Sequence, residues 1–352
     1  MVASQQLKTA SPSAQQSPSM SKKHARDHEN SSEAANLLIS PCLSALSSDA
    51  SGVSKAQVEE KSVVETPTAR PHCASIFDVG GWEVENNILG EGVFSFVTTG
   101  FSSKTGEKVA MKFIDKAFSK ERIGEAQMRS EYELIADLKH PHVLQLLDVF
   151  ENDKHLVIIS ELGAGGDLFS YLNARGKLSE DEARFFFHQL LDAVSFFHAR
   201  GIYHRDLKLE NLFFTDESRK TLKVGDWGFA CYANSENSKS FVGSTLYSPP
   251  EVLSHNVFSG KSSDIWACGV ILFSLTAGFL PFGDYKRNRK EFCRRVLAGD
   301  FIIPPQVSNK LLSLFYSVFV PKLQHRATLE DMRQHAWTTH NPDCLNSVYD
   351  FM

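Results

Sequence analysis

The segment Tyr203–Asn211, YHRDLKLEN, sets an acid, Asp206, two residues before a cation, Lys208, and five before a neutral oxygen donor, Asn211. Asp206 has the chemistry of a general base, Lys208 that of a counter-charge for an anion, and Asn211 that of a ligand for a hard cation such as magnesium. A second oxygen donor, Asp226, follows in LKVGDWGFA, where it stands between a glycine and Trp227. Upstream, LGEGVFSFV places Gly90 and Gly92 between extended segments, and a glycine hairpin lets backbone amides approach phosphate oxygens. A dinucleotide-binding turn would lead into a helix, whereas Phe94 to Thr99 are strand formers. VAMK brings Lys112 onto the next strand, and Glu131 is a carboxylate able to orient it. Each signal has a structural alternative: tight hairpins need glycine, edge-strand lysines are commonly solvated, and Asp-Trp-Gly suits a strand entering a turn. The chemical reading rests on their conjunction.

Two kinds of scaffold must position these residues. From Trp82 to Leu162, NILGEG, FSFVTTGF, KVAMKFI, VLQLLDVF and HLVIIS read as short strands bounded by turn residues. Among them GEAQMRSEYELIADL puts Met128, Glu131, Ile135 and Leu138 at helical spacing, an acid sharing the inward face with aliphatics. After Gly163 helices dominate. LSEDEARFFFHQLLDAVSFFHARG opens with a capping-box pattern, Ser179 to Glu182, and runs Ala183, Phe186, Leu190, Val194 and Phe197 along one stripe before Gly201. The shift predicts an α+β chain of two lobes with a cleft between them.

The rest of the composition excludes other classes. A formal charge of -5 gives no electrostatic footprint for nucleic acid. Six cysteines (Cys42, Cys73, Cys231, Cys268, Cys293, Cys344) are scattered without a Cys-x-x-Cys pair, and no signal segment opens the chain, which predicts reduced thiols in an intracellular protein, cytoplasmic or nuclear. Ile265–Phe282 is uncharged over nearly a bilayer's span, but Gly269, Ser274, Thr276, Gly278 and Pro281 interrupt it, and a buried core helix is expected. Residues 1–77, rich in Ser, Ala and Gln and poor in aromatics, read as a disordered tail in which Ser11, Ser17, Ser40 and Thr66 precede prolines. Residues 338–352 read as a short C-terminal tail.

Taken together these residues resemble the eukaryotic protein kinases, over Trp82 to Trp337. GSTLYSPPE is similar to the end of a kinase activation loop, SSDIWACGVILF to the buried helix after it, and HRATLEDMRQHAW to the closing helical motif. Lys208 and Gly243–Tyr247 resemble serine/threonine rather than tyrosine kinases. HPHVLQLLDVF and GGDLFSYL are similar to the calmodulin-dependent and AMP-activated-kinase-related branch. The resemblance implies a bilobal fold, with a small antiparallel sheet and one key helix in the N-lobe (82–162) and a larger helical C-lobe (163–337). It implies transfer of the γ-phosphate of ATP, with Mg2+, to Ser or Thr of protein substrates. Asp206 would take the hydroxyl proton, Lys208 steady the γ-phosphate, Lys112 held by Glu131 grip the α and β phosphates, and Asn211 with Asp226 hold metal. Nucleotide would be lined by Leu89, Gly90, Glu91, Gly92, Val97, Ala110 and Phe213. Ser160 would stand behind adenine, with the backbone of Glu161 and Leu162 along its edge and Asp167 on the ribose or on a substrate Arg. Asp167 and Glu210 favour a basic residue upstream of the target.

Four positions depart from the usual pattern: Ser95 replaces the third glycine, Trp227 the motif Phe, Pro249 an Ala, and Phe213 an aliphatic floor. Ser95, Trp227 and Pro249 motivate a rival, a pseudokinase scaffold. Intact Lys112, Glu131, Asp206, Asn211 and Asp226 oppose it. Trp227 is expected to stack with Ile135, Leu146 and His204 and, given an acceptor for its indole N–H, to resist flipping of the motif. Ser160 should leave room behind adenine unless Met111 or Trp227 fills it. Ser240 lies where related kinases are phosphorylated by an upstream activating kinase, and Arg205 is the cation such a phosphate would meet. Glu251 and Arg326 resemble a buried structural ion pair. Fifteen residues follow Trp337, too few for an autoinhibitory calmodulin-binding helix. A monomer is expected.

Overall fold

The computed structural model describes residues 79–92, 95–117, 119, 125–233, 243–254 and 259–340, with the backbone alone at 125–128 and 130. The tail segments 1–77 and 341–352, Ser240, and the Met128 side chain lie outside the described residues.

The strand-forming runs build one antiparallel sheet, ordered β1 (Trp82–Glu91), β2 (Ser95–Ser102), β3 (Lys108–Asp115), β5 (His155–Glu161), β4 (Leu146–Glu151). Its register sets Val97 opposite Lys112 and Ala110 opposite Ser160. Because side chains alternate across a strand, Ala110, Lys112 and Ile114 share one face of β3 while Val109, Met111 and Phe113 share the other. Met111 packs there with Val79, Val109, Val157 and Ile159. Helix α1 (Glu125–Ile135) carries Glu131, with Leu134, Ile135 and Leu138 joining the main core.

The helical lobe follows. Helix α2 (Leu168–Arg175) is capped by Asp167, and α3 (Glu180–His198) by Ser179, whose hydroxyl accepts from Glu182 N. The stripe Ala183, Phe186, Leu190, Val194, Phe197 is buried as expected. The capping box closes only on one side, because the Glu182 carboxylate turns instead to Tyr171 Oη and Arg175. A hydrogen bond to a neutral partner and a cation outcompetes the return bond to a backbone amide.

Two short ribbons, β6 (Ile202–Tyr203) with β9 (Cys231–Tyr232) and β7 (Leu212–Phe214) with β8 (Leu222–Val224), carry the polar loops between them. Beneath lies α5 (Gly260–Ala277), the apolar run tested against a membrane span. Among the described residues no helix is long and apolar enough to cross a membrane. Trp266, Phe273 and Leu272 of α5 are fully buried; each such side chain contributes about 1.5–3 kcal/mol. The short α4 (Pro250–Leu253), α6 (Arg289–Ala298), α7 (Asn309–Val318) and α8 (Leu329–Gln334) complete the lobe. Glu251 and Arg326 form a two-pronged buried pair, 2.8 Å at each prong. Cys268 and Cys293 are free thiols, and Cys231 forms no disulfide among the described residues.

Candidate active site

Asp206, Lys208 and Asn211 converge as their spacing predicts. Asp206 Oδ2 accepts from Lys208 Nζ at 2.7 Å and from Asn211 Nδ2 at 3.3 Å, while Oδ1 accepts from Ser244 N at 2.8 Å. With both oxygens engaged the carboxylate has one orientation. Ser244 reaches it because Gly243 has φ +90 and no Cβ; a methyl there would stand 2.4 Å from the Arg205 carbonyl oxygen. Lys208 Nζ also donates to Ser244 Oγ at 3.3 Å, joining the Asp206 loop to the Gly243–Glu251 segment. Burial opposes the Lys208 charge, but Asp206 outweighs it and raises its pKa.

The second cluster lies against the sheet. Lys112 Nζ donates to Glu131 Oε1 at 2.7 Å and to Asp226 Oδ1 at 3.0 Å, so the expected lysine–glutamate contact is formed. Burial disfavours the ammonium, yet the two carboxylates more than offset it and raise the Lys112 pKa. Lys112 in turn pulls Asp226 down to about 2, so Asp226 is an anion throughout the physiological range. Asp226 adopts φ 58, a left-handed conformation that L-residues rarely hold without local compensation.

The donor set fits magnesium. Asn211 Nδ2 also donates to the Asp206 carbonyl at 2.9 Å, which turns the amide so that its oxygen is left for a cation. Asp226 adds an ionised oxygen ligand, the type that Mg2+ prefers.

At the hinge, Glu161 N donates to Gln145 O at 3.0 Å, and its carboxylate accepts from Gln145 N at 2.9 Å and Lys223 Nζ at 2.6 Å. Lys223, on β8 three residues before Asp226, therefore ties hinge to metal strand, a contact the sequence reading missed. It also missed Gly163, where a Cβ would lie 2.6 Å from Phe213 Cβ, so the Phe213 floor needs this glycine. The Leu162 carbonyl accepts from Ala164 N at 3.0 Å. Both Asp167 oxygens are used within α2, by Ser170 N at 2.7 Å and Ser170 Oγ at 2.8 Å, so this residue is first a helix cap. Leu89, Gly90, Glu91 and Gly92 are exposed on the hairpin, where Gly92 N donates to Ser95 O at 2.6 Å. Val97 and Ala110 stand on the adjoining strands.

Ser160 is not screened by Met111, which faces the opposite side of the sheet. Ser160→Met should therefore lower the potency of ATP analogues with bulky purine substituents by about 10-fold or more, roughly 1–3 kcal/mol of lost fit. Inhibition constants on both forms check this; equal values would place other atoms behind adenine.

Trp227 packs against His204 with the rings tilted (4.8 Å between ring centres, 53° between planes) and meets Phe197 edge-on, and it joins Ile135 and Leu146 in one core. Its buried Nε1 has no hydrogen-bond partner among the described residues. The latch expected of the indole is absent, because the rings around it offer faces rather than acceptors. Trp227→Phe loses buried area but removes an unpaired donor worth about 1–3 kcal/mol. The two offset, so thermal unfolding should shift by only a few degrees, against a far larger loss for Trp227→Ala.

A buried acid on α5 organises the loop that carries Asp206. Asp264, fully buried on α5, accepts from His204 N at 2.9 Å, Arg205 N at 2.8 Å and His198 Nε2 at 2.8 Å. These bonds hold Arg205 at φ 64, immediately before Asp206. The one acid of this largely apolar helix was the available signal. Arg205 Nε donates to Phe229 O at 2.7 Å.

Residues 83–338 match the family described as the protein kinase domain. Similar curated proteins include CBL-interacting serine/threonine-protein kinase 26 of Arabidopsis thaliana, 36% identical over 268 residues, covering 75% of this chain and 60% of the relative. Another is CBL-interacting protein kinase 11 of Oryza sativa subsp. japonica, 37% identical over 263 residues, covering 74% and 51%. CBL-interacting serine/threonine-protein kinase 3 of Arabidopsis thaliana is 37% identical over 264 residues, covering 74% and 58%. The chain thus spans about half to three-fifths of these relatives' lengths. The five-stranded sheet, the Lys112–Glu131 pair and the Asp206 loop are the features of the matched region, and the chain belongs to the protein kinase family.

Proposed function

We propose that the chain is a magnesium- and ATP-dependent protein serine/threonine kinase. The observation that carries this reading is the simultaneous assembly of Lys112–Glu131, Lys112–Asp226 and Lys208–Asp206, each at 2.7 to 3.0 Å. A scaffold without chemistry would have no use for all three. Asn211 and Asp226 would hold magnesium, which when bound would supply positive charge against the phosphate oxygens. Lys112 binds the α and β phosphates. The substrate hydroxyl oxygen forms a bond to the γ-phosphorus as the β–γ bridging bond breaks, and its proton passes to Asp206. ADP and the phosphorylated protein are the products. Lys208 balances charge at the γ-phosphate and positions Asp206.

The substrate reading deepens at Glu210. Its Oε2 is buried without a hydrogen-bond partner among the described residues, and burial raises its pKa. A guanidinium from the peptide would satisfy it. A Ser peptide with an upstream Arg should exceed its Ala counterpart in kcat/KM by about tenfold or more, the worth of a charge-assisted bond. Glu210→Gln should remove most of that ratio. Because the carboxyl is raised, the ratio should shrink on acidification at higher pH than an ordinary glutamate would dictate. A ratio near one in the native protein contradicts the assignment.

We further propose that the protein acts as a monomer inside the cell, with activation by another kinase at the loop that contains Ser240, Arg205 being the receiving cation. The free thiols and the acidic net charge support that compartment and argue against nucleic acid as substrate.

A further inference from the structure

Helix α6 and the residues that lead into it gather an excess of cations at the helix start, which the single acid of its first turn, Glu291, does not balance. Lys286–Arg295 holds six cations and one acid in a chain whose net charge is -5. Arg289 and Lys290 occupy the first turn and Arg287 precedes the Asn288 cap, where the helix dipole favours acids. Two other helices follow that preference, α3 opening with Glu180, Asp181 and Glu182, and α8 with Glu330 and Asp331, whereas α5 and α7 carry one cation each in the first turn, Lys261 and Lys310. Arg294 and Arg295 are neutralised by Glu291, and Arg294 also by Asp300. Arg287, Arg289 and Lys290 are exposed and form no ion pair among the described residues. Lys290, Arg294 and Leu297 lie at i, i+4 and i+7, one helix face, and Leu297 is 45% exposed. Ile303, shortly beyond Asp300, is 59% exposed. Helix α6 packs on α4, which continues directly from the peptide-binding segment ending at Pro249.

We propose that this face is a docking surface for an acidic, partly aliphatic segment of a protein substrate, separate from the residues around the phosphorylated hydroxyl. The proposal rests on the kinase reading for its purpose, but not for its binding. Three unneutralised cations select carboxylates, and the adjacent exposed Leu297 selects an aliphatic side chain over a purely anionic polymer. The position beside α4 keeps a docked segment close to Asp206.

The test uses the full chain and two peptides sharing one basic Ser acceptor sequence. One peptide also carries a flexible Gly/Ser linker of about 20 residues, roughly 25 Å in mean span, and an acidic tail containing leucine. Tethering should lower KM for the tailed peptide by about tenfold with kcat unchanged, an advantage that fades with added salt. The variant Arg287→Glu/Arg289→Glu/Lys290→Glu should treat both peptides alike and match the native protein on the short one. Its charges suit the helix start, so it should fold. No advantage for the tail in the native protein, or one that survives charge reversal, overturns the proposal. Anisotropy of the labelled tail alone should register binding to native and not to variant protein. Tighter competition by a single-stranded oligonucleotide or an anionic vesicle than by unlabelled tail overturns it in favour of a non-protein polyanion. If neither peptide is phosphorylated, the kinase reading fails while the anisotropy result still decides the docking.

Discussion

Asp206→Asn should reduce phosphate transfer by about 10²- to 10⁴-fold, the range for loss of a positioned acid–base group, while ATP affinity stays near the native value. The separation follows from the geometry. The nucleotide contacts proposed above fall to Lys112, Glu131 and Asp226, which bond to one another and not to Asp206. The amide would retain an oxygen for Ser244 N but present a nitrogen to Lys208 Nζ, a donor facing a donor. The Asp206 carboxylate is only 2% exposed, so water does not readily repair that mismatch. Both Lys208 and Asn211 lose an acceptor, and the nucleophile loses its base. Steady-state kinetics with a nucleotide-binding measurement checks the split. A comparable loss of ATP affinity would mean that Asp206 helps to build the nucleotide site.

Asp264→Ala should have the largest effect on stability of any single change considered. Three donors would be stranded in the core, from His204 N, Arg205 N and His198 Nε2. At about 1–3 kcal/mol for each unsatisfied buried group, a loss of several kcal/mol is expected. At roughly 2–4 °C per kcal/mol for a domain of this size, thermal unfolding should fall by about 10 °C or more. Activity measured well below that transition should fall too. Arg205 would be free to leave its left-handed conformation, and Asp206 is the next residue. Asp264→Asn, which keeps the shape and one acceptor, should lie between the two. Unfolding of Asp264→Ala within a few degrees of native would contradict the role assigned to these bonds.

The contrast between Glu131 and Asp264 explains what the sequence made legible. Glu131 stands among aliphatics on one helix face, and the pattern itself marks it as an inward acid in need of a cation, which Lys112 provides at 2.7 Å. Asp264 also sits among apolar residues, but its partners are backbone amides about sixty residues upstream, and backbone donors leave no trace in residue type. The same holds for Gly163 and Phe213, whose fit depends on how two loops cross. It holds for Lys223 and Glu161, one of many lysine–acid pairs that composition allows. Trp227 shows the opposite limit. Its burial and its contact with His204 were readable from the motif, but the tilt of the two rings and the missing acceptor at Nε1 depend on neighbours that only the fold specifies. The half-formed capping box at Ser179 arose similarly, since Arg175 and Tyr171 compete for Glu182 from another helix.

The most direct measurement is transfer of labelled γ-phosphate from ATP to a basic Ser peptide by the native chain, with magnesium present or chelated, beside Asp206→Asn. Incorporation into serine that requires magnesium and is lost in the variant is the expected result. No incorporation by the native chain, even after treatment with an activating kinase, would contradict catalysis by the assembled site.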